Sequence, residues 1–215
     1  MIIGRAFMLL RPAALRAAMC AAVGGGLAAG AHAGTVQVDV SDAEGRPLAD
    51  AVVFLESPEA RKLLKPMADV EMVQEGRQFV PSVLVVPTGT AVMFPNRDKV
   101  RHHVYSFSPA KKFELKLYAG TPSNPVLFDQ QGVVTLGCNI HDRMVGWVVV
   151  VDTPFFGRSA SGSGRLQIEN VPPGRYTLRT WHTRLPVGAA AQEQALVVPA
   201  TGASQAAVRV MGLQP

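Results

Sequence analysis

Gly137-Cys138-Asn139-Ile140-His141-Asp142-Arg143-Met144-Val145-Gly146-Trp147 places a thiol, an imidazole and a thioether at Cys-x-x-His-x-x-Met spacing on one short stretch. Soft sulfur donors beside an imidazole suit copper, which accepts a trigonal set of two His and one Cys with a long axial Met. The stretch therefore reads as three of the four ligands of one copper ion. A second imidazole has to come from elsewhere, and Arg101-His102-His103-Val104-Tyr105-Ser106-Phe107 offers it at the mouth of a strand-like run.

Outward from this loop the chain reads as strands. Runs rich in Val, Phe and Tyr, punctuated by Gly, Pro, Asn and Asp, are expected over 83–86, 90–94, 103–107, 113–117, 126–128, 133–136 and 145–151. Thr88-Gly89 and Gly132 mark turns, and Pro95-Asn96 closes a strand just ahead of the histidine pair. Two sheets packed face to face bring the His102 loop and the Cys138–Met144 loop to one end of a rigid scaffold. Helical periodicity is confined to residues 58–65.

The first residues address the chain to an oxidising compartment. Arg5, Arg11 and Arg16 form a basic start, residues 17–29 a short apolar run, and Ala31-His32-Ala33 before Gly34 a small-x-small cleavage site. The expected product is a periplasmic protein starting near Gly34, released from a signal peptide over 1–33. Met19 before Cys20 argues against a lipoprotein box, and no apolar run reaches the roughly 20 residues of a membrane span. Of the two cysteines, cleavage leaves Cys138 alone in a space where free thiols pair or react. Metal ligation protects it.

Charge supports no nucleic-acid partner. The net +5 of the full chain includes Arg5, Arg11 and Arg16, and their loss leaves a nearly neutral product without a clustered basic face. The basic run Arg97 to Arg101 beside the proposed site is short and would steer an acidic redox partner. The signatures of catalysis are missing too. There is no His-x-His pair for further copper ions, no second Cys near Cys138, no Glu on the loop to act as a base for a zinc hydrolase, no phosphate loop and no nucleophile elbow. The chain is read as no enzyme. His182, after Trp181, reads as a packed or surface residue, and Met67, Met72 and Met93 as core filling.

The block from Phe79 to Asp152 resembles the cupredoxin family of type 1 blue copper proteins, with a tight ligand loop of the amicyanin and plastocyanin kind. The resemblance rests on Phe94-Pro95-Asn96-Arg97-Asp98 followed by His102, and on Gly132-Val-Val-Thr-Leu-Gly-Cys138 followed by Met144-Val-Gly-Trp-Val-Val-Val150. It implies a Greek-key β-sandwich and the ligand set His102, Cys138, His141 and Met144. Two departures stand out. His103 occupies the place where the family usually has an Asn that ties the ligand loops together, and the run 133–137 lacks the aromatic side chains often found there. Alternation along a strand favours His102 over His103 as the ligand.

The flanks follow another pattern. Val36 to Leu55 and Gly164 to Trp181 are each a strand, a Gly-containing turn and a second strand. They resemble the halves of a carboxypeptidase regulatory-like, transthyretin- or Ig-like sandwich. The expected layout is all-β, with a cupredoxin domain over 70–152 inserted in or packed beside a second small sandwich built from 34–69 and 153–215. The function implied is one-electron transfer between redox partners, in the manner of methylamine-utilisation proteins. The partner would be a quinoprotein dehydrogenase or a c-type cytochrome that docks transiently, with Val145, Trp147 or Pro95 as apolar contacts. The competing expectation is a copper-handling, carbohydrate-binding or protein-binding module with a structural copper site.

Overall fold

The computed structural model describes residue 1 and residues 34–215. The leader read over 1–33, with Arg5, Arg11, Arg16 and Cys20, lies outside the described residues except for residue 1. Among the described residues no helix is long and apolar enough to cross a membrane.

In chain order the elements are β1 (Gly34–Ser41), β2 (Val52–Glu56), α1 (Pro58–Lys62), β3 (Val70–Glu71), β4 (Val73–Glu75), β5 (Gln78–Val80), β6 (Val83–Pro87), β7 (Thr90–Met93) and β8 (His102–Ser108). They continue as β9 (Lys111–Tyr118), β10 (Val126–Phe128), β11 (Gly132–Cys138), β12 (Gly146–Val151), β13 (Phe156–Arg158), β14 (Arg165–Val171), β15 (Gly174–Trp181), β16 (Gln192–Val198) and β17 (Ser204–Arg209). The fold is all-β, as the punctuated apolar runs imply. The short α1 starts where Ser57 Oγ accepts the Ala60 N–H and Pro58 opens the first turn. It ends before residue 65 because only Ala60 of its residues is buried. A further turn would carry Leu63, already 50% exposed, into solvent with nothing to pack against.

A five-stranded sheet ordered β6-β12-β11-β8-β9 lies at the centre of the fold. Gly146-Trp-Val-Val-Val-Val151 is a continuous apolar run, the pattern of a strand covered on both faces. Val148 and Val150 join Val134, Leu136, Cys138 and Met144 in one hydrophobic cluster, while Val149 and Val151 join Val36, Leu55 and Trp181 in another. The first cluster is closed by the small β10-β7-β3 sheet, which contributes Val126, Phe128, Val92 and Val70. The second lies with the sheets β14-β1-β17 and β13-β2-β15-β16.

One strand departs from simple alternation. Residues 113–117 read as a regular half-exposed strand, but the β8–β9 register shifts between His102 opposite Tyr118 and Val104 opposite Leu115. The extra residue on β9 is a bulge, which leaves Lys116 and Leu117 both exposed, Leu117 at 47%. Beyond it, Tyr118 packs against the cluster that holds Cys138.

Candidate metal centre

Period-2 alternation on β11 sends Val134, Leu136 and Cys138 inward and Val133, Thr135 and Gly137 outward. Antiparallel pairing sets Cys138 opposite Val104 on β8, so the His102 end of β8 lies beside the thiol. Across the strand ends, the Met144 N–H donates to the His141 carbonyl at 2.9 Å, a turn that folds the loop back on itself.

The result brings His102, Cys138 and His141 together, with one donor atom of each within 4.8 Å of the others. His102 is fully buried, Cys138 is 4% exposed and is the free cysteine of the described residues, and His141 is half-buried. Met144, 1% exposed, belongs to the same apolar cluster as Cys138.

The donor set fits a metal. Nitrogen and sulfur held about 2.0 and 2.3 Å from one ion at the trigonal angle of about 120° stand about 3.7 Å apart. His102 Nδ1 lies 3.7 Å from Cys138 Sγ. His141 Nδ1 is buried without a hydrogen-bond partner, a position that costs free energy unless something accepts its lone pair.

A second group of residues fixes His102. Its Nε2–H donates to Asp98 Oδ2 at 2.8 Å, which leaves Nδ1 unprotonated toward Cys138. Asp98 is itself clamped. Gly76 and Arg77 form the two-residue turn between β4 and β5 with φ of 62° and 59°, the conformation of a tight hairpin. Their N–H groups donate to Asp98 Oδ1 at 2.8 Å and Oδ2 at 2.9 Å. Burial opposes the charge on Asp98, but the Arg77 N–H, the His102 ring and the Gly76 N–H outweigh it and hold the carboxyl below its ordinary range. Asn96 shapes the loop between: its Nδ2 donates to the carbonyls of Val100 and Tyr118, and its Oδ1 accepts the Asp98 N–H. Tyr118 donates to the Phe94 carbonyl at 2.6 Å, and burial pushes its hydroxyl up to about 12, so it remains a donor. The sequence gives Asn96 only the role of ending a strand and gives none to Asp98 or Tyr118, although an Asp four residues before a ligand-candidate His is a visible signal.

His103 points away from the cluster. Its Nδ1 accepts from Asn139 Nδ2 at 3.0 Å, and its Nε2 lies 2.9 Å from Glu114 Oε1. Asn139 follows Cys138, so His103 joins the two loops, the task the sequence left open for it. The missing aromatic of β11 is supplied across the sheet. Tyr105, opposite Gly137, lies so close that a Cβ at position 137 would stand 2.7 Å from its ring.

Other expectations are corrected. Pro95 is buried and offers no docking contact, and Trp147 is part-buried, its ring 6.3 Å from that of Trp181. The exposed apolar residues around His141 are Val145 (38%) and Ile140 (51%). Met72 is fully buried as core filling, whereas Met67 is 43% exposed because no sheet covers the stretch between α1 and β3.

His182 is a structural residue. Nε2–H donates to the Ala49 carbonyl at 3.1 Å, and Nδ1 accepts the Arg184 N–H at 3.1 Å. Only the neutral ring satisfies both. Burial, joined by the nearby Arg184 charge, outweighs the Ala49 bond and lowers its pKa below the usual histidine value. The unfolded chain then binds the proton first, so this stabilisation is complete above the unfolded pKa of about 6.5 and is lost as pH falls below it. Thermal unfolding from pH 7.5 to 5.0 should show a loss of at most about 1.4 kcal/mol per pH unit from this ring, and His182→Gln should flatten that part of the profile.

No protein-family model matches the chain, and no curated protein matches it. Solved structures resemble parts of it. A purple cupredoxin from Nitrosopumilus maritimus is 25% identical over 39% of this chain and 100% of its own, with a TM-score of 0.35. The copper-containing nitrite reductase of Thermus scotoductus is 26% identical over 41% of this chain and 23% of the reductase, with a TM-score of 0.37. An oxidised amicyanin variant is 20% identical over 47% of this chain and 99% of its own, with a TM-score of 0.36.

Proposed function

We propose that this is a periplasmic type 1 copper protein that carries single electrons, with a cupredoxin domain over residues 70–152 and a flanking sandwich built from 34–69 and 153–215. The observation that carries the reading is the convergence of His102, Cys138 and His141 within 4.8 Å, with the 3.7 Å nitrogen–sulfur spacing of a trigonal pair. His102 and His141 would hold copper through nitrogen and Cys138 through its thiolate, with the Met144 thioether as a weak further donor. Bound copper would supply a one-electron couple there.

The chain's own residues do the rest. Asp98 and the Gly76-Arg77 turn fix the His102 tautomer, so the ring presents the Nδ1 lone pair toward Cys138. The apolar cluster around Cys138 and Met144 keeps water from the thiolate. His141, half-buried between exposed Ile140 and Val145, is the edge over which a partner docks. Arg97, Lys99 and Arg101 are exposed beside it, which suits a partner with an acidic face, a quinoprotein dehydrogenase or a c-type cytochrome.

The test is the visible and EPR spectrum of protein expressed from Gly34 and loaded with one equivalent of Cu(II). An intense blue band with narrow hyperfine splitting, bleached by mild reductant and restored by oxidant, is the expected result. A colourless protein would overturn the proposal. His103→Asn should keep the band while His102→Ala loses it. The opposite pair of outcomes would transfer the ligand role to His103.

A further inference from the structure

The face of the central sheet that turns away from Cys138 borders a cavity of about 760 Å3. On one side stand Tyr105 and Phe107 of β8, their rings 5.2 Å apart and tilted by 42°; on the other stand Phe54 of β2 and Trp181 of β15. The loop from Val187 to Ala191, made of small residues after its first, forms the third side. Phe107 is 77% exposed and Val187 91% exposed, so the cavity is open to solvent on that side, with a volume of the size that takes small organic ligands.

We infer that this cavity binds a neutral, flat aromatic molecule of two or three fused rings. Each part of that description has a physical cause. The Tyr105 and Phe107 rings offer a surface to a planar π-system, which gains free energy beyond area burial, while Phe54 and Trp181, each 4% exposed, reach the cavity with little more than an edge. Neutrality follows from Arg179, the one charged residue bordering the cavity, whose guanidinium is already held by Glu56 at 2.7 Å and Glu193 at 2.5 Å. An anion finds no free cation there, and a cation would meet the guanidinium. β12, β2 and β15 each have neighbours on both sides in their sheets, so their edges are closed to main-chain pairing with a peptide strand. The inference does not rest on copper, since Tyr105, Phe107, Val133 and Thr135 face the opposite side of β8 and β11 from His102 and Cys138.

Calorimetric titration of the chain from Gly34 with 2-naphthol tests it, with and without Cu(II), beside the saturated analogue decahydro-2-naphthol. Saturable binding of 2-naphthol with a dissociation constant below about 1 mM, at least threefold weaker binding of the saturated analogue, and a Trp181 indole NMR signal that moves with the same saturation are expected. Phe107→Ala should weaken binding about three- to tenfold and, being a surface truncation, leave the melting temperature within a few degrees. Linear, unsaturable heats, equal affinity for the saturated analogue, or an unchanged affinity in folded Phe107→Ala would each overturn the inference. Binding of 2-naphthol by the copper-free protein would uphold it even where the blue band fails to form, so the two proposals fail separately.

Discussion

Cys138→Ser, loaded with one equivalent of Cu(II), is expected to show none of the intense visible band and to give the wide hyperfine splitting of ordinary Cu(II) in place of the narrow one. The thiolate is the only soft anionic donor in the cluster, and a serine hydroxyl neither ionises near neutral pH nor shares charge with the metal as sulfur does. Copper affinity falls with the colour, because two imidazoles and a buried thioether are left without an anion. The fold should persist. Cys138 is 4% exposed among apolar neighbours, and a buried hydroxyl without a firm partner costs about 1–3 kcal/mol, a lower melting temperature but a cooperative transition. Absorption, EPR and thermal unfolding on one preparation separate loss of ligation from loss of structure. A blue Cys138→Ser protein would remove the thiolate from the site and the electron-transfer reading with it.

What the sequence made legible is mostly what depends on near neighbours. Cys138, His141 and Met144 stand close together in the chain, so their spacing could be read directly, and alternation along β8 already turned His102 and His103 to opposite faces. The four-valine run of β12 was recognisable as a strand, but not as a layer shared by two clusters, because nothing local says what covers its second face. The support of His102 was hidden for a related reason. It comes from a hairpin whose strands β4 and β5 are three residues each, too short to show a period, and its Gly76-Arg77 turn meets Asp98 only in the folded chain. β16 and β17, in an Ala- and Gln-rich stretch, carry little alternation and owe their place to β15 and β1. Leu117 escaped because a bulge, invisible in an apolar/polar pattern, turned it outward. The cavity beside Tyr105 was hidden because its sides come from two sheets distant in sequence.

Asp98→Asn should lower Cu(II) affinity about 10–100-fold while the blue band survives in the protein that remains loaded. Asp98 accepts three N–H groups, from Gly76, Arg77 and His102. Asparagine offers one oxygen and one NH2, so at least one of those donors would face another donor. If Gly76 keeps the oxygen, Arg77 and His102 both lose theirs, and the tautomer with a protonated Nδ1 toward Cys138 becomes accessible. If His102 keeps it, Arg77 keeps it too, but the Gly76 N–H faces the NH2 group and the loop from Asn96 to His102 loosens. Either way the imidazole is less often presented with a free Nδ1, and copper must supply the ordering that the carboxylate supplied before. Cys138, on β11, is untouched, which is why the colour per bound ion should be retained. Competition with a chelator of known strength, read at the blue band, measures the affinity. Asp98→Glu tests whether charge alone is enough. The longer side chain restores the anion but displaces it by one methylene from two N–H groups fixed in a tight turn, so only partial recovery is expected. Affinity within threefold of wild type in Asp98→Asn would show that His102 is positioned by the packing of β8 alone and that the hairpin is structural support without influence on the site.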